Sequence, residues 1–224
     1  IEPGVVNGAK LLLSYGTAAG CLGGLAKLAW GTIKNDGITQ LAIRSMITTL
    51  LVFCFFQVLP HYPVGVSEVH FILGSTLFLM FGLAPAAIGL ALGLLIQGLL
   101  FSPFDLPQYG MNITTLLVPL MAVALVADKI IPKNTAYKDV SYKQTLALSA
   151  AYQGGVVSWV AIWAFYGQGF GAETLSQVGL FGGAYMMVII VEPLADLVIL
   201  GAAKGLHQLK DSPLFHDRLY RAGV

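Results

Sequence analysis

Seven apolar stretches, separated by short polar or Pro- and Gly-containing connections, run the length of the 224-residue chain. A helix needs about 20 mostly apolar residues to cross a bilayer. The stretches cover residues 8–28, 41–59, 69–83, 84–102, 111–128, 145–166 and 178–203. The third is short and runs into Gly82 and Pro85, so we expect it to tilt, break or be shielded by its neighbours. The pattern predicts an all-α, polytopic membrane bundle of about seven transmembrane helices.

The basic residues lie almost entirely on one alternate set of connections. Only Lys10, of the 12 Lys and Arg residues, falls on the other side. The others are Lys27, Lys34 and Arg44 near one connection, Lys129, Lys133, Lys138 and Lys143 near the next, and Lys204, Lys210, Arg218 and Arg221 near the C-terminus. Cytoplasmic loops keep positive charge, so we expect the N-terminus outside and the C-terminus inside. That orientation requires an odd number of spans, which seven satisfies.

Composition agrees with the membrane class and excludes a soluble domain. The chain is 57% hydrophobic and 10% charged, whereas about a quarter of the residues of a soluble domain are charged. No basic stripe of the kind that binds nucleic acid occurs, so we expect the lipid bilayer and no nucleic acid as a partner. Cys21 and Cys54 fall within apolar stretches, where we expect them to pack and not to form a disulfide or a metal site.

No linker, low-complexity tract or internal repeat divides the chain, and we expect one integral-membrane domain over residues 1–224. The chain opens on Ile1-Glu2-Pro3-Gly4 without a basic n-region, which argues against a cleavable signal peptide. It lacks an initiator Met, which is consistent with further residues upstream of Ile1. Glycines that recur every four residues predict close helix packing. They are Gly16, Gly20 and Gly24, Gly89 and Gly93, and Gly179 and Gly183.

The two outer connections differ from the basic ones. Residues 59–70 contain two Pro, one Gly, two His and no Lys or Arg, and residues 101–112 are equally rich in turn-forming residues. Pro and Gly favour ordered turns over floppy links. A rigid, non-basic mouth that contains imidazole and carboxylate groups is suited to receive a cation.

His70 is the main candidate for metal ligation. A neutral imidazole is a common ligand of divalent first-row metals, although a histidine at a helix end can equally bond a neighbouring carbonyl. His61, between two prolines, is more typical of a solvated or interfacial histidine. Gln97 and Asn112 are intramembrane amides, for which interhelical hydrogen bonding is the expected role.

Glu192 lies well inside the seventh stretch, with Asp196 one turn later on the same face. Ionisable groups at membrane depth are costly and are functional candidates. For Glu192, structural hydrogen bonding and a role in transport both remain open, and Asp196 could be solvated or paired with Lys204. No ATP-binding Gly-rich loop, Ser/His/Asp arrangement or His-Glu-x-x-His motif occurs, so we expect neither ATP hydrolysis nor another catalytic residue in this chain.

Several motifs together resemble a known family. They are Pro63-x-Gly65-x-Ser67-x-x-His70, Gly82-x-x-Pro85-Ala86-Ala87, residues 94–101, Gly110-Met111-Asn112 and Val191-Glu192-Pro193-Leu194. The set is similar to the CbiM/NikM family, the cobalt- and nickel-capturing membrane components of energy-coupling-factor transporters. The resemblance spans nearly the whole chain, and its middle block is the most specific part.

The resemblance implies a nitrogen ligand set made of the N-terminal amine, the backbone nitrogen and ring of a His in an opening Met-His pair, and one internal His. The internal ligand would be His70, with Ser67 and Asn112 orienting its loop. The Met-His pair does not occur in this sequence, and without it only a terminal amine, Glu2 or His61 could assist His70. Four nitrogens suit Ni(II), and Co(II) is accepted by related members.

The resemblance also implies Co²⁺ or Ni²⁺ as the transported ligand, no organic cofactor, a bacterial cytoplasmic membrane, and a membrane coupling subunit with cytoplasmic ATPases as partners. One alternative is a non-transporting scaffold subunit that retains the fold. Another is a secondary carrier in which Glu192 and Asp196 bear the coupling proton. We expect His70→Ala to abolish metal binding, and Glu192→Gln to affect assembly or transport while leaving equilibrium binding largely unchanged.

Overall fold

The computed structural model describes residues 1–208, so Lys210, Arg218 and Arg221 of the charge argument lie outside the described residues. In this range the chain forms seven α-helices and one β-hairpin. The helices are α1 Leu11–Asp36, α2 Ile38–Gln57, α3 Gly74–Phe81, α4 Leu83–Leu100, α5 Tyr109–Ile130, α6 Tyr142–Gln168 and α7 Ala172–Gln208. The strands are β1 Tyr62–Val64 and β2 Ser67–Val69, and short 3₁₀ turns cover Gly8–Lys10, Pro103–Gln108 and Tyr137–Asp139.

Six helices of the described chain are long and apolar enough to cross a membrane, which confirms the predicted polytopic helical class. The predicted span over residues 69–83 is wrong as a continuous helix. Residues 70–73 are not helical, and α3 has eight residues, which rise only about 12 Å against a hydrocarbon core of about 30 Å. Leu73 (φ 52°) and Gly82 (φ 93°) adopt left-handed conformations at its two ends, and these interrupt the helical path.

The third crossing is nevertheless made, by a non-helical segment followed by a short helix. The start of α4 lies beside the middle of α2, where the Thr48 hydroxyl donates to Pro85 O at 2.7 Å. Further along both helices, the Gln97 amide donates to Phe56 O at 3.5 Å, so α2 and α4 run parallel. The chain between them must therefore return across the bundle. Which end of the bundle faces the cytoplasm stays a prediction.

The glycine pairs have two different surroundings. A Cβ on Gly93 would lie 2.6 Å from Val52 Cγ1, and one on Gly89 would collide with Thr48, so this pair lets α2 and α4 approach closely as expected. By contrast, a Cβ on Gly16, Gly20, Gly179 or Gly183 would meet no atom of the described chain within 4 Å. Gly24, the third glycine of α1, is within ordinary contact distance of Met121, at 3.8 Å. Within the described chain, the open small-residue faces are therefore those of Gly16 and Gly20 on α1 and of Gly179 and Gly183 on α7.

The distribution of polarity is inverted relative to a soluble protein. Large apolar side chains are exposed around the outside, for example Leu12 at 70% and Val198 at 71%. Buried positions include polar and charged residues, among them Thr114, Ser149, Gln153, Glu192 and Asp196, each fully buried. An apolar exterior around a partly polar interior fits a bundle that lipid surrounds.

Candidate metal centre

The hairpin between α2 and α3 builds the centre of the site. Tyr62 pairs with Val69 and Val64 with Ser67, which leaves a two-residue turn of Gly65 and Val66. Gly65 has φ 62°, and a Cβ there would collide with the carbonyl oxygen of Gln177 on α7, so the position requires glycine. The same register continued by one pair brings His61 opposite His70.

His61, Glu68 and His70 form a compact cluster at the open end of this hairpin. The two imidazole rings stack with centroids 5.1 Å apart and planes inclined by 18°. Glu68 Oε2 lies 2.8 Å from His70 Nε2. One ligand atom from each of the three residues lies within 4.8 Å of the other two. Two imidazoles and a carboxylate are therefore close enough to share one cation.

The donor atoms of the cluster are only partly used by protein contacts. Nδ1 of His61 and Nδ1 of His70 are both buried and have no hydrogen-bond partner among the described residues. A buried polar atom without a partner is rare in folded proteins and calls for an explanation. A metal ion would supply one, because a neutral imidazole nitrogen with a free lone pair is a strong ligand.

Burial and hydrogen bonding set the protonation of this cluster. Burial lowers the pKa of His70 from its ordinary value of 6.5, and the hydrogen bond that His70 donates to Glu68 opposes that change. The same hydrogen bond lowers the pKa of Glu68. Burial raises the pKa of Glu2, and the nearby Glu68 charge raises it further. His70 is thus favoured in the neutral form and Glu68 in the ionised form, which are the metal-binding forms of both groups.

The N-terminal segment lies against the hairpin and covers the site. The Glu2 main-chain N–H donates to Val66 O at 3.0 Å, and the main-chain nitrogen of Ile1 donates to Asn112 Oδ1 at 2.6 Å. Between this segment and the hairpin is a cavity of about 80 Å³. Its polar lining residues are Glu2, Ser67, Glu68, His70, Gln97, Asp105, Tyr109, Asn112, Thr115 and Tyr185.

The structure brings together most of the residues singled out from the sequence. His70, Ser67, Asn112 and Glu2 all line the cavity, whereas His61 reaches the cluster only by stacking on His70 and does not line the cavity. Two carboxylates at this site, Glu68 and Asp105, were not named as site residues, although the connections that contain them were expected to receive a cation.

The spacing of Glu68 and His70 contains a usable signal for the first of these carboxylates. Residues two apart on a strand point to the same face. The Pro63-x-Gly65 turn could have indicated that strand. Asp105 lies in the 3₁₀ turn Pro103–Gln108, and no comparable local signal directs it to the cavity.

Glu192 lies deeper and does not line the cavity. One of its carboxylate oxygens, Oε1, accepts the main-chain N–H groups of both Ile72 and Leu73. Asp196 accepts the hydroxyl of Ser75 at 3.0 Å and also that of Thr76. Non-helical backbone inside a bilayer needs partners for its polar groups. Glu192 supplies them for the segment that leads into α3, and Asp196 binds side-chain hydroxyls in the first turn of α3.

Comparisons with known proteins were made on the same chain. A family model described as CbiM, cobalt uptake substrate-specific transmembrane region, matches residues 1–207. The match covers almost all of the residues that the structure describes, including the hairpin, the cavity and the Glu192 region. Searches of curated proteins and of solved structures found no match.

Proposed function

The chain belongs to the CbiM family of cobalt uptake transmembrane regions, and we propose that it captures Co²⁺ at His70 as the substrate-binding subunit of an energy-coupling-factor transporter. Membership makes it a multi-pass membrane component of cobalt uptake. We propose three further points: which residues hold the cation, which cation it is, and which type of transporter the chain serves.

The observation that carries the proposal is the cluster of His61, Glu68 and His70 beside a small cavity. Imidazole nitrogens bind Co²⁺ and Ni²⁺ well, and a carboxylate adds a negative charge that favours a divalent over a monovalent cation. His70 is the proposed central ligand. Ser67 and Asn112 orient the segments around it, and Glu2 and His61 are auxiliary groups.

The position of Ile1 gives the N-terminal segment a part in this site. Its main-chain nitrogen lies at the cavity, bonded to Asn112. A Met-His pair placed before Ile1 would therefore begin at the cavity that His70 also lines and would add amine, amide and imidazole nitrogens. With that pair the donor set becomes rich in nitrogen and favours Ni²⁺ or Co²⁺, whereas Glu2, Glu68 and His61 alone form a mixed oxygen and nitrogen set.

Transport against a gradient requires energy that this chain does not supply by ATP hydrolysis, because its sequence has no Walker-type loop. We infer that a membrane coupling subunit and cytoplasmic ATPases provide it, in the cytoplasmic membrane of a bacterium. The unpacked glycine faces of α1 and α7 support this inference, since small residues let another helix approach closely in lipid.

Titration with Co²⁺ and with Ni²⁺ of the purified protein, carrying its native N-terminal segment, tests the proposal. The wild type is expected to bind one tight equivalent, and His70→Ala is expected to lose it while keeping its helical circular dichroism. His216→Ala is the matched control, because it removes a histidine outside the family match. No saturable binding to the wild type would contradict capture and would favour the scaffold alternative.

A further inference from the structure

Below the cavity, a second polar cluster joins α3, α6 and α7. Its centre is formed by Glu192 and Asp196, both fully buried. Among residues 1–208, neither carboxylate forms an ion pair with a Lys, Arg or His. Two carboxylates without a cationic partner at membrane depth are exceptional, because such groups normally pair with an opposite charge.

Two oxygen atoms of this cluster neither accept nor donate a hydrogen bond of good geometry within the described chain. Glu192 Oε1 accepts two N–H groups, whereas its Oε2 is buried without a partner in the described chain. Ser149 of α6 is fully buried and its hydroxyl lies beside Asp196, but it forms no hydrogen bond of good geometry with that carboxylate or with another described residue. Ser149 therefore brings a buried oxygen from a different helix to Asp196, one turn after Glu192.

The cluster continues directly from the cavity that holds His70. Ile72 lines the cavity with its side chain, and its main-chain N–H donates to Glu192. Tyr185 of α7 also lines the cavity and lies two turns before Glu192 on the same helix. A cation that leaves His70 towards the other end of the bundle would thus meet this cluster next.

We propose that Glu192, Asp196 and Ser149 form a second, oxygen-only cation site, which the transported divalent cation occupies after it leaves His70. This inference rests on the proposed function. Carboxylate and hydroxyl oxygens suit hard cations such as Mn²⁺ and Mg²⁺ and bind Co²⁺ less tightly than imidazole does. A weaker site of this kind lets the cation leave, which conduction through successive sites requires.

The carboxylates also hold the start of α3, so their substitution alone would not separate a cation site from a structural role. Ser149 makes the separation possible. Among the described residues its hydroxyl has no hydrogen-bond partner of good geometry, so we expect Ser149→Ala to leave the stability of the metal-free protein nearly unchanged. If the cluster binds a cation, the same substitution removes one of its oxygen ligands.

Mn²⁺ binding measured by electron paramagnetic resonance tests the site, with His70→Ala as the background so that the upper site is disabled. The expected result is one Mn²⁺ equivalent that Ser149→Ala weakens by about tenfold and Asp196→Asn abolishes. The melting temperature of metal-free Ser149→Ala should equal or exceed that of the parent protein. Ser158→Ala is the control, because its hydroxyl lies on the same helix and only bonds Gly154 O.

The absence of a Mn²⁺ equivalent in the His70→Ala background would overturn the second site. Mn²⁺ binding that Ser149→Ala and Asp196→Asn leave unchanged would overturn it as well. Neither result bears on capture at His70, which is judged separately by tight Co²⁺ binding to the wild type. The two proposals can therefore fail independently.

Discussion

Glu68 and His70 share one hydrogen bond, and that bond determines how a proton and a metal ion compete for the imidazole. Burial favours the neutral ring, and the carboxylate favours the protonated ring. Only the neutral ring binds a metal. Cation affinity should therefore remain high below pH 6.5, the ordinary pKa of histidine, and should fall only as the pH drops through the lowered pKa of His70.

Glu68→Gln distinguishes the effect of the Glu68 charge on the protonation of His70 from its direct effect on the bound cation. The substitution removes the charge that favours protonated His70, so the midpoint of the pH profile for Co²⁺ binding should move to lower pH. It also removes one anionic donor, so the affinity at neutral pH should fall by about tenfold. Calorimetric titration at a series of pH values measures both. A midpoint that moves to higher pH would contradict the assigned role of Glu68.

Gly65 controls the site through the geometry of the hairpin. Gly65→Ala puts a Cβ against Gln177 O in a left-handed backbone conformation, which should cost about 1–3 kcal/mol and displace His61 from His70. We expect a lower melting temperature and weaker Co²⁺ binding. The matched control is Gly179→Ala, where the Cβ would meet open space. Equal behaviour of the two variants would show that the turn does not hold the site.

The sequence identified the imidazole of the site more readily than its carboxylates. His70, Ser67 and Asn112 stand out because of their chemistry and their motif. Glu68 was missed because hydropathy starts a helical span at residue 69, whereas the chain there is a strand with a period of two. The misplaced element hid the shared face of Glu68 and His70.

At the scale of elements, the third crossing is the main departure from the predicted pattern. Its apolar composition resembles that of a helix, but residues 70–73 are not helical and α3 is short. Hydropathy records whether a segment is apolar and not whether its backbone groups find partners within the segment. Here the partner of two main-chain N–H groups is Glu192, more than a hundred residues later in the chain.

Glu192 therefore links α7 to the segment that carries His70. Glu192→Gln keeps a carbonyl oxygen that can accept the N–H groups of Ile72 and Leu73. Glu192→Leu removes both side-chain oxygens and leaves these two N–H groups without that acceptor. We expect the Gln variant to retain tight Co²⁺ binding and the Leu variant to lose stability by about 2–4 kcal/mol and to bind Co²⁺ more weakly. Thermal unfolding and titration measure the difference. Loss of tight binding in the Gln variant would show that the charge itself is needed at His70.

At the scale of the whole molecule, helix count and membrane class followed from hydropathy because lipid leaves few alternatives to apolar helices. The path of the chain at the metal site could not be predicted from hydropathy. It depends on contacts between α7, the hairpin and the N-terminal segment, and these contacts have no local sequence signal. The glycine faces illustrate the same limit. The spacing is alike in α1, α4 and α7, but only the pair in α4 packs closely within the described chain.

The open faces of α1 and α7 lead to a prediction about partners. Gly20→Leu puts a bulky side chain on a face that contacts no other part of the described chain. The isolated subunit should keep its melting temperature and its Co²⁺ affinity, while Co²⁺ uptake by cells and recovery of the assembled transporter should fall. Gly93→Leu serves as the opposite case, because its side chain would enter the contact with Val52 and destabilise the isolated subunit.

Capture of Co²⁺ by the imidazole of His70 is tested most directly by X-ray absorption at the cobalt edge. Protein with its native N-terminal segment would be loaded with one equivalent of Co²⁺, as wild type and as His70→Ala. The account predicts nitrogen ligands with an imidazole scattering signature in the wild type, and a reduced imidazole contribution together with loss of tight binding in the variant. The same cobalt environment in both proteins would contradict it.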